Sequence, residues 1–269
     1  MLIDSIAPVL DKLSLLSAGV RLYQRASALN PRIYLKNRSY RMSEQGTAIP
    51  PARLLMTVAG SAEIAVFLEG GRMAADSIRT ILQNNGVDIS GLRAILDFGC
   101  GCGRVLRCWR DLAGVDLHGT DYNGELTAWC TRYLPFARIG RNKLAPPTSY
   151  PADRFDFIYA LSVFTHLPEP DQMAWMDEFH RVLRRGGCLF LSLHGAHYLA
   201  RLNEGERRQF LAGKLVTRYA YSAGTNLCSV FHPEAYVRTH LTRDFEVVDF
   251  VPEGARGNPR QDAWLFRRK

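Results

Sequence analysis

The sequence lacks several features that would fix its class at once. No run of about 18 apolar residues occurs in its 269 positions, which excludes a spanning helix. The six cysteines stand at 100, 102, 108, 130, 188 and 228 without a Cys-x-x-Cys pair, and Cys100-Gly101-Cys102 is too tight for ordinary zinc-finger ligation. Reduced thiols in a cytosolic protein are what this usage leads one to expect. The opening Met1-Leu2-Ile3-Asp4, with Asp11 ahead of the first Arg, has no cationic signal-peptide region, and a cytoplasmic location is expected. Charged residues make up only 22% beside 47% apolar ones, which rules out a mainly disordered chain. The 22 glycines and 13 prolines have no period, so collagen-like and linker architectures fall away. The net charge of +8 permits a nucleic acid, an anionic lipid surface or a phosphorylated small molecule, and selects none of them.

What is present reads as a core with an elaboration. Apolar side chains at helical spacing run through residues 2–29, and Pro8 divides them into two short helices. Residues 30–51 are polar and basic and read as loop with a strand or turn. A further helix is predicted over 74–85 from Ile78, Ile81 and Leu82. After residue 93, short apolar runs alternate with helical segments, as in βαβ units on a parallel sheet. Strands are predicted at 93–98, 115–120, 136–140, 155–161, 187–193, 245–251 and 262–267. Helices are predicted near 104–113, 123–133, 170–184 and 233–241. Residues 1–88 would be an N-terminal helical cap on the substrate side, and residues 89–269 the core, with an insertion at 196–230.

The chemistry begins at Asp97-Phe98-Gly99-Cys100-Gly101-Cys102-Gly103-Arg104, where the first strand turns. Alternate glycines let a backbone approach a ligand closely, and a helix start beyond them offers free N–H groups. The spacing is G-x-G-x-G rather than the dinucleotide G-x-G-x-x-G. Asp97, two residues ahead, would repel a pyrophosphate and welcome an ammonium group. The second strand ends in Asp121-Tyr122. A carboxylate there can accept both hydroxyls of a ribose, or merely cap the helix that follows. Tyr122 offers a face to an adenine ring.

These residues resemble those of the class I S-adenosylmethionine-dependent methyltransferases of small bacterial type. Downstream, residues 153–167 resemble that family's fourth-strand motif, and Leu183-Arg184-Arg185-Gly186-Gly187-Cys188-Leu189-Phe190-Leu191-Ser192 its Gly-Gly and fifth-strand motif. The resemblance implies an α/β, Rossmann-like, seven-stranded and mostly parallel sheet of order 3-2-1-4-5-7-6, with strand 7 antiparallel and helices on both faces. It implies S-adenosyl-L-methionine as cofactor. Asp97 would hold its amino group, Gly99, Cys100 and Gly101 would lie against the methionyl chain, and Asp121 would bind the ribose. Tyr122 would flank the adenine, and Leu161 and Ser162 would close the site from strand 4. Asn142 stands where many members carry an acidic contact to the adenine amino group, and its oxygen could accept instead. Arg104 could pair with the cofactor carboxylate, or form a solvated face with Arg107 and Arg110.

Methyl transfer from a sulfonium requires alignment of the acceptor and, for a hydroxyl, removal of a proton. The chain has no Asn/Asp-Pro-Pro-aromatic motif after strand 4, no Pro-Cys dipeptide, and no carboxylate cluster for Mg²⁺. A metal-independent transfer to oxygen, or secondarily nitrogen, of a small molecule such as a saccharide or secondary metabolite remains. The candidate bases are His194, His166 and His232, each of which could instead be a backbone-anchored histidine. The insertion interleaves Tyr198, Arg201, Arg207, Arg208, Lys214, Arg218, Tyr219 and Tyr221, which suits an anionic or sugar-like acceptor; a solvated helix over 202–211 would explain Arg207 and Arg208 equally well. Val58-Ala59-Gly60-Ser61 and Gln261-Asp262 also resemble bacterial methyltransferases of polysaccharide and glycolipid assembly. Competing readings are an RNA methyltransferase, suggested by the basic charge but opposed by its scatter, a cofactor-binding scaffold without catalysis, and a nicotinamide oxidoreductase.

Overall fold

The computed structural model describes residues 19, 31–43, 48–257 and 260–269. They fall into two units, divided between Gly70 and Gly71. The two helices expected over 2–29 lie outside the described residues.

In the first unit, α1 (Pro31–Ser43) occupies most of the stretch that its polar sequence marks as loop. Its residues show no apolar stripe, and tertiary anchors hold it instead. Asn37 donates to the Ala62 carbonyl at 2.9 Å and accepts from the Ile64 N–H at 2.8 Å, while Lys36 pairs with Glu63. The amphipathic α2 (Ala52–Ala59) ends at Gly60, whose φ of 64° is the left-handed stop. Among the described residues, no single helix is long and apolar enough to cross a membrane.

The helix α3 (Ile64–Asn84) begins ten residues before the sequence pattern marks it and runs into the second unit. There the strands are β1 (Ala94–Phe98), β2 (Asp116–Asp121), β3 (Arg138–Arg141), β4 (Phe155–Leu161), β5 (Leu183–Leu193), β8 (Phe245–Ala255) and β9 (Gln261–Arg268). They form one seven-stranded sheet of order β3-β2-β1-β4-β5-β9-β8. With β8 and β9 counted as sixth and seventh strands, this is the expected 3-2-1-4-5-7-6, and β9 is antiparallel to both neighbours. A separate two-stranded sheet, β6 (Val216–Arg218) with β7 (Ser229–Phe231), forms within the insertion.

Strand β1 is buried along its whole length, which is why it reads as an unbroken apolar run apart from Asp97. Leu96 and Phe98 join the core beneath α5 (Glu169–Val182) and α7 (Glu234–His240), where Trp175, Phe179 and Val237 pack. Ile95 enters the opposite core with Ile78 and Leu82 of α3 and with Trp109. Between β2 and β3 runs α4 (Gly124–Tyr133), capped by the Asn123 side chain, and α6 (Glu204–Leu211) carries a full capping box from Asn203 and Glu206.

The helix expected at 104–113 is reduced to a single 3-10 turn, Leu106–Trp109. Gly103 still has a φ of 71°, so the left-handed loop extends to the position where a helix would have to begin. On the α3 side the loop is pressed close. A Cβ on Gly71 would overlap the Arg104 carbonyl oxygen, so only glycine allows this approach of helix to loop.

Candidate active site

The chain reverses direction across the sheet between β1 and β4, and the carboxyl ends of these strands form the crevice where open α/β sheets bind ligands. The glycine loop fills one side of it. Gly99, Gly101 and Gly103 have φ of 76°, 56° and 71°, the left-handed values that the alternating glycines anticipate. Both the Gly99 and Cys100 N–H groups donate to the Thr120 carbonyl, at 2.8 and 3.0 Å, which ties the loop to the end of β2. Gly99 also faces Val163, and a Cβ on it would overlap that side chain.

Asp121 fastens the loop from below. One carboxylate oxygen accepts from the Gly101 N–H at 2.9 Å and the other from the Asn123 N–H at 2.8 Å. Burial raises its pKa, and these backbone donors oppose that shift. Asp121 therefore acts on the loop and on the start of α4 at once, with lone pairs left on both oxygens. Asp97 lies deeper, 4% exposed, and burial pushes its carboxyl up to about 7, against a hydrogen bond from Tyr159, the Arg104 charge and the Leu106 N–H. A buried carboxylate so poorly compensated is suited to a cation.

The remaining cofactor candidates sort by place. Arg104 is enclosed, donates to the Gly257 carbonyl at 2.7 Å and stands near Asp97, so it does not share a solvated face with Arg107 and Arg110. Arg104, Leu161 and Ser162 line one small cleft with Ala74, Ser192 and Gln261. Tyr122 is 39% exposed at the β2 end, and its hydroxyl donates to the Gly224 carbonyl at 2.7 Å. Asn142 lies beside it, but its side-chain oxygen already accepts from Thr120 at 2.9 Å and its amide donates to the Lys143 carbonyl.

Sequence reasoning missed the residues that hold these in place. Ser162 has a left-handed φ of 59°. Its N–H donates to the Ser192 hydroxyl, and Gln261 bridges the two by donating to the Ser162 hydroxyl and accepting from Ser192. Because β9 runs antiparallel, its first residue, Gln261, reaches the same edge as the ends of β4 and β5. Gly224 in the insertion joins two sides of the crevice, since its N–H also donates to the His166 carbonyl at 2.8 Å. A three-residue strand and a glycine in a loop leave too little pattern for sequence to announce this strap.

The three candidate histidines come together at this edge. His166 follows β4 in a 3-10 turn, His194 directly follows β5, and His232 follows β7, with its N–H donating to the His194 carbonyl. The His166 Nδ1–H donates to the Cys228 carbonyl at 2.7 Å, and the His194 Nδ1–H donates to Val230 at 3.2 Å. His232 donates through Nε2 to Gln172, and its Nδ1 is buried without a partner. Burial lowers all three pKa values, carrying those of His194 and His232 down to about 3. All three are neutral at pH 7. Among the described residues no His, Cys, Asp or Glu side chains are grouped to hold a metal ion.

The two most depressed histidines carry a stability consequence. Their folded-state pKa lies below the unfolded value near 6.5, so the unfolded chain binds more protons as the pH falls. Folding stability is thus fully present above pH 6.5 and is lost toward pH 3, by about 1.4 kcal/mol per pH unit for each of His194 and His232. Denaturant titrations at pH 7 and pH 5 should show a steep drop. A flat profile over that interval would contradict the buried, neutral state of both rings.

This fold and crevice define an open α/β protein with a ligand crevice at the carboxyl edge of its sheet. Comparison narrows the class. A family model described as a methyltransferase domain matches residues 70–249, more than half of the sequence, and the chain belongs to that family. Among solved structures, the S-adenosylmethionine-dependent methyltransferase from Mesorhizobium loti superposes with a TM-score of 0.56 at 19% identity, covering 72% of this chain and 100% of that one. The PH0226 protein from Pyrococcus horikoshii OT3 gives 0.55 at 14% identity, over 74% and 91%. The glycopeptide N-methyltransferase MtfA, complexed with sinefungin, gives 0.51 at 15% identity, over 73% and 94%. At these identities the likeness is one of fold. Family and fold together make the chain an S-adenosylmethionine-dependent methyltransferase.

Proposed function

We propose that the protein transfers a methyl group, without a metal, to a hydroxyl oxygen of a small molecule such as a saccharide or secondary metabolite, with His166 as the general base. The observation that carries this reading is the neutral histidine cluster at the carboxyl edge of β4 and β5. An oxygen acceptor must lose a proton as it is methylated, and a neutral ring with a bare nitrogen can take it. His166 is the half-buried member, and its orientation is set by the Cys228 carbonyl, which leaves Nε2 bare. His194 and His232 are too weakly basic, each at a pKa of about 3, and His232 is closed off by its burial.

S-adenosylmethionine, when bound, supplies an electrophilic methyl on a positively charged sulfur. Asp97 would receive its ammonium group, Asp121 the ribose hydroxyls and Tyr122 one face of the adenine. Gly99, Cys100 and Gly101 would present bare backbone to the methionyl chain, and Arg104, Leu161 and Ser162 would enclose its end. The strap through Gly224 would keep water from the transfer. The test is incubation with methyl-labelled cofactor and fractionated small-molecule extracts, followed by mass analysis. A small molecule gaining about 14 Da on oxygen is expected. Label found only in RNA, or on nitrogen, would overturn the reading of the acceptor.

A further inference from the structure

The Asp97 carboxylate does not stand alone in the core. Asp97 and Tyr159 are register partners on the neighbouring parallel strands β1 and β4, so their side chains project from the same face of the sheet. Tyr159 is fully buried, and so is Trp109 in the 3-10 turn below the glycine loop. The Trp109 indole N–H donates to the Tyr159 hydroxyl oxygen at 3.0 Å. With its oxygen accepting from Trp109, the tyrosine hydroxyl has its proton to offer, and Asp97 is the acid that the strand register sets beside it.

The position two residues earlier on β4 shows what packing alone requires. Phe157 lies in the same core as Tyr159 and is equally buried, with no polar atom. A hydroxyl placed there costs free energy unless it is paired, and this one accepts from the Trp109 indole. Its register partner is the buried acid Asp97.

We propose that Tyr159, seated by Trp109, is a positioning residue that holds Asp97 ionised and oriented for the ammonium group of the cofactor; this rests on the reading of Asp97 given above. The other charged or titratable groups facing Asp97 are Arg104 and Cys100 from the loop and Asp121 from β2. From α3, Arg79 lies over the Trp109 ring, paired with Asp76. Arg104 favours the ionised form and Asp121 opposes it, and neither is altered by removing the Tyr159 hydroxyl. Burial of Asp97 pushes its carboxyl up to about 7, so loss of one donor acts within an accessible pH range.

The test is Tyr159→Phe, which deletes one oxygen and keeps the ring. In the free protein, ¹³C-carboxyl NMR of Asp97 should show a titration midpoint raised by about one pH unit. Binding of S-adenosylhomocysteine by calorimetry should weaken about 5-fold at pH 7 and by less than about 2-fold at pH 9, where the carboxyl is ionised again. Trp109→Phe should move both readouts in the same direction by a smaller amount, and serves if Tyr159→Phe fails to fold. An unchanged midpoint, or an equal loss of affinity at both pH values, overturns the positioning role. Raised midpoints in a protein that binds no cofactor at any pH would leave the relay standing and overturn the cofactor reading instead.

Discussion

Asp121→Asn is expected to weaken S-adenosylhomocysteine binding by about 100-fold, no less than Asp121→Ala. In the folded chain each carboxylate oxygen faces a backbone donor, Gly101 N–H on one side and Asn123 N–H on the other. An asparagine can satisfy only one of them, because its amide turns two further donors toward the other. Hydrogen bonds to a charged acceptor contribute about 1.5–3 kcal/mol each, so losing the loop contact and one ribose contact together reaches the expected factor. The glycine loop would also lose its lower tie, which a calorimetric titration registers as a smaller binding enthalpy. The melting temperature should fall only modestly, since Thr120 still holds Gly99 and Cys100. Affinity within about threefold of the unmodified protein would show that Asp121 merely caps α4.

The contrast between Asp121 and Tyr159 shows where the sequence was legible. Asp121 ends a buried strand and precedes a helix with a good cap, so its place at the crevice follows from chain order alone. The same holds for Asp97 and the glycine loop, because a parallel strand buried on both faces leaves a continuous apolar signature that stops abruptly at the site. Tyr159 sits inside such a signature, and a buried tyrosine there looks like any core aromatic. Its function appears only through register with Asp97 on a strand 62 residues away in sequence. Gln261 is hidden for the same reason, since only the reversed direction of β9 brings the strand's first residue beside Ser162 and Ser192.

The departures from the expected elements have equally local causes. The turn after Gly103 cannot become a full helix while three alternate glycines keep the chain left-handed. The helix α1 has no apolar stripe, so its sequence gives no helical period, and its stability comes from Asn37 and Lys36 reaching residues 62–64. The pattern for α3 breaks at Gly70-Gly71, which moves the expected helix start inward. That break is where the helix comes against the Arg104 backbone. In the second unit, then, the weakest helical signal coincides with a contact that shapes the site.

His166→Ala is expected to lower kcat by about 10²–10⁴-fold, the usual contribution of a positioned general base, while S-adenosylhomocysteine affinity stays within about twofold. The ring must be neutral to accept a proton, and burial depresses its pKa below the ordinary value near 6.5. Activity should therefore be level from about pH 7 upward and fall with decreasing pH, one proton per molecule, below the depressed pKa. His194→Ala offers the decisive comparison. Its ring, at a pKa of about 3, would leave a pH profile flat through the acidic range if it were the base. It packs against Tyr198, with 4.2 Å between the centroids of the tilted rings, and donates to the Val230 carbonyl, so its loss should disturb the insertion and raise KM more than it lowers kcat. Partial recovery of His166→Ala by added imidazole, with no such recovery of His194→Ala, would place the proton transfer at the end of β4. Full turnover by His166→Ala would move it elsewhere.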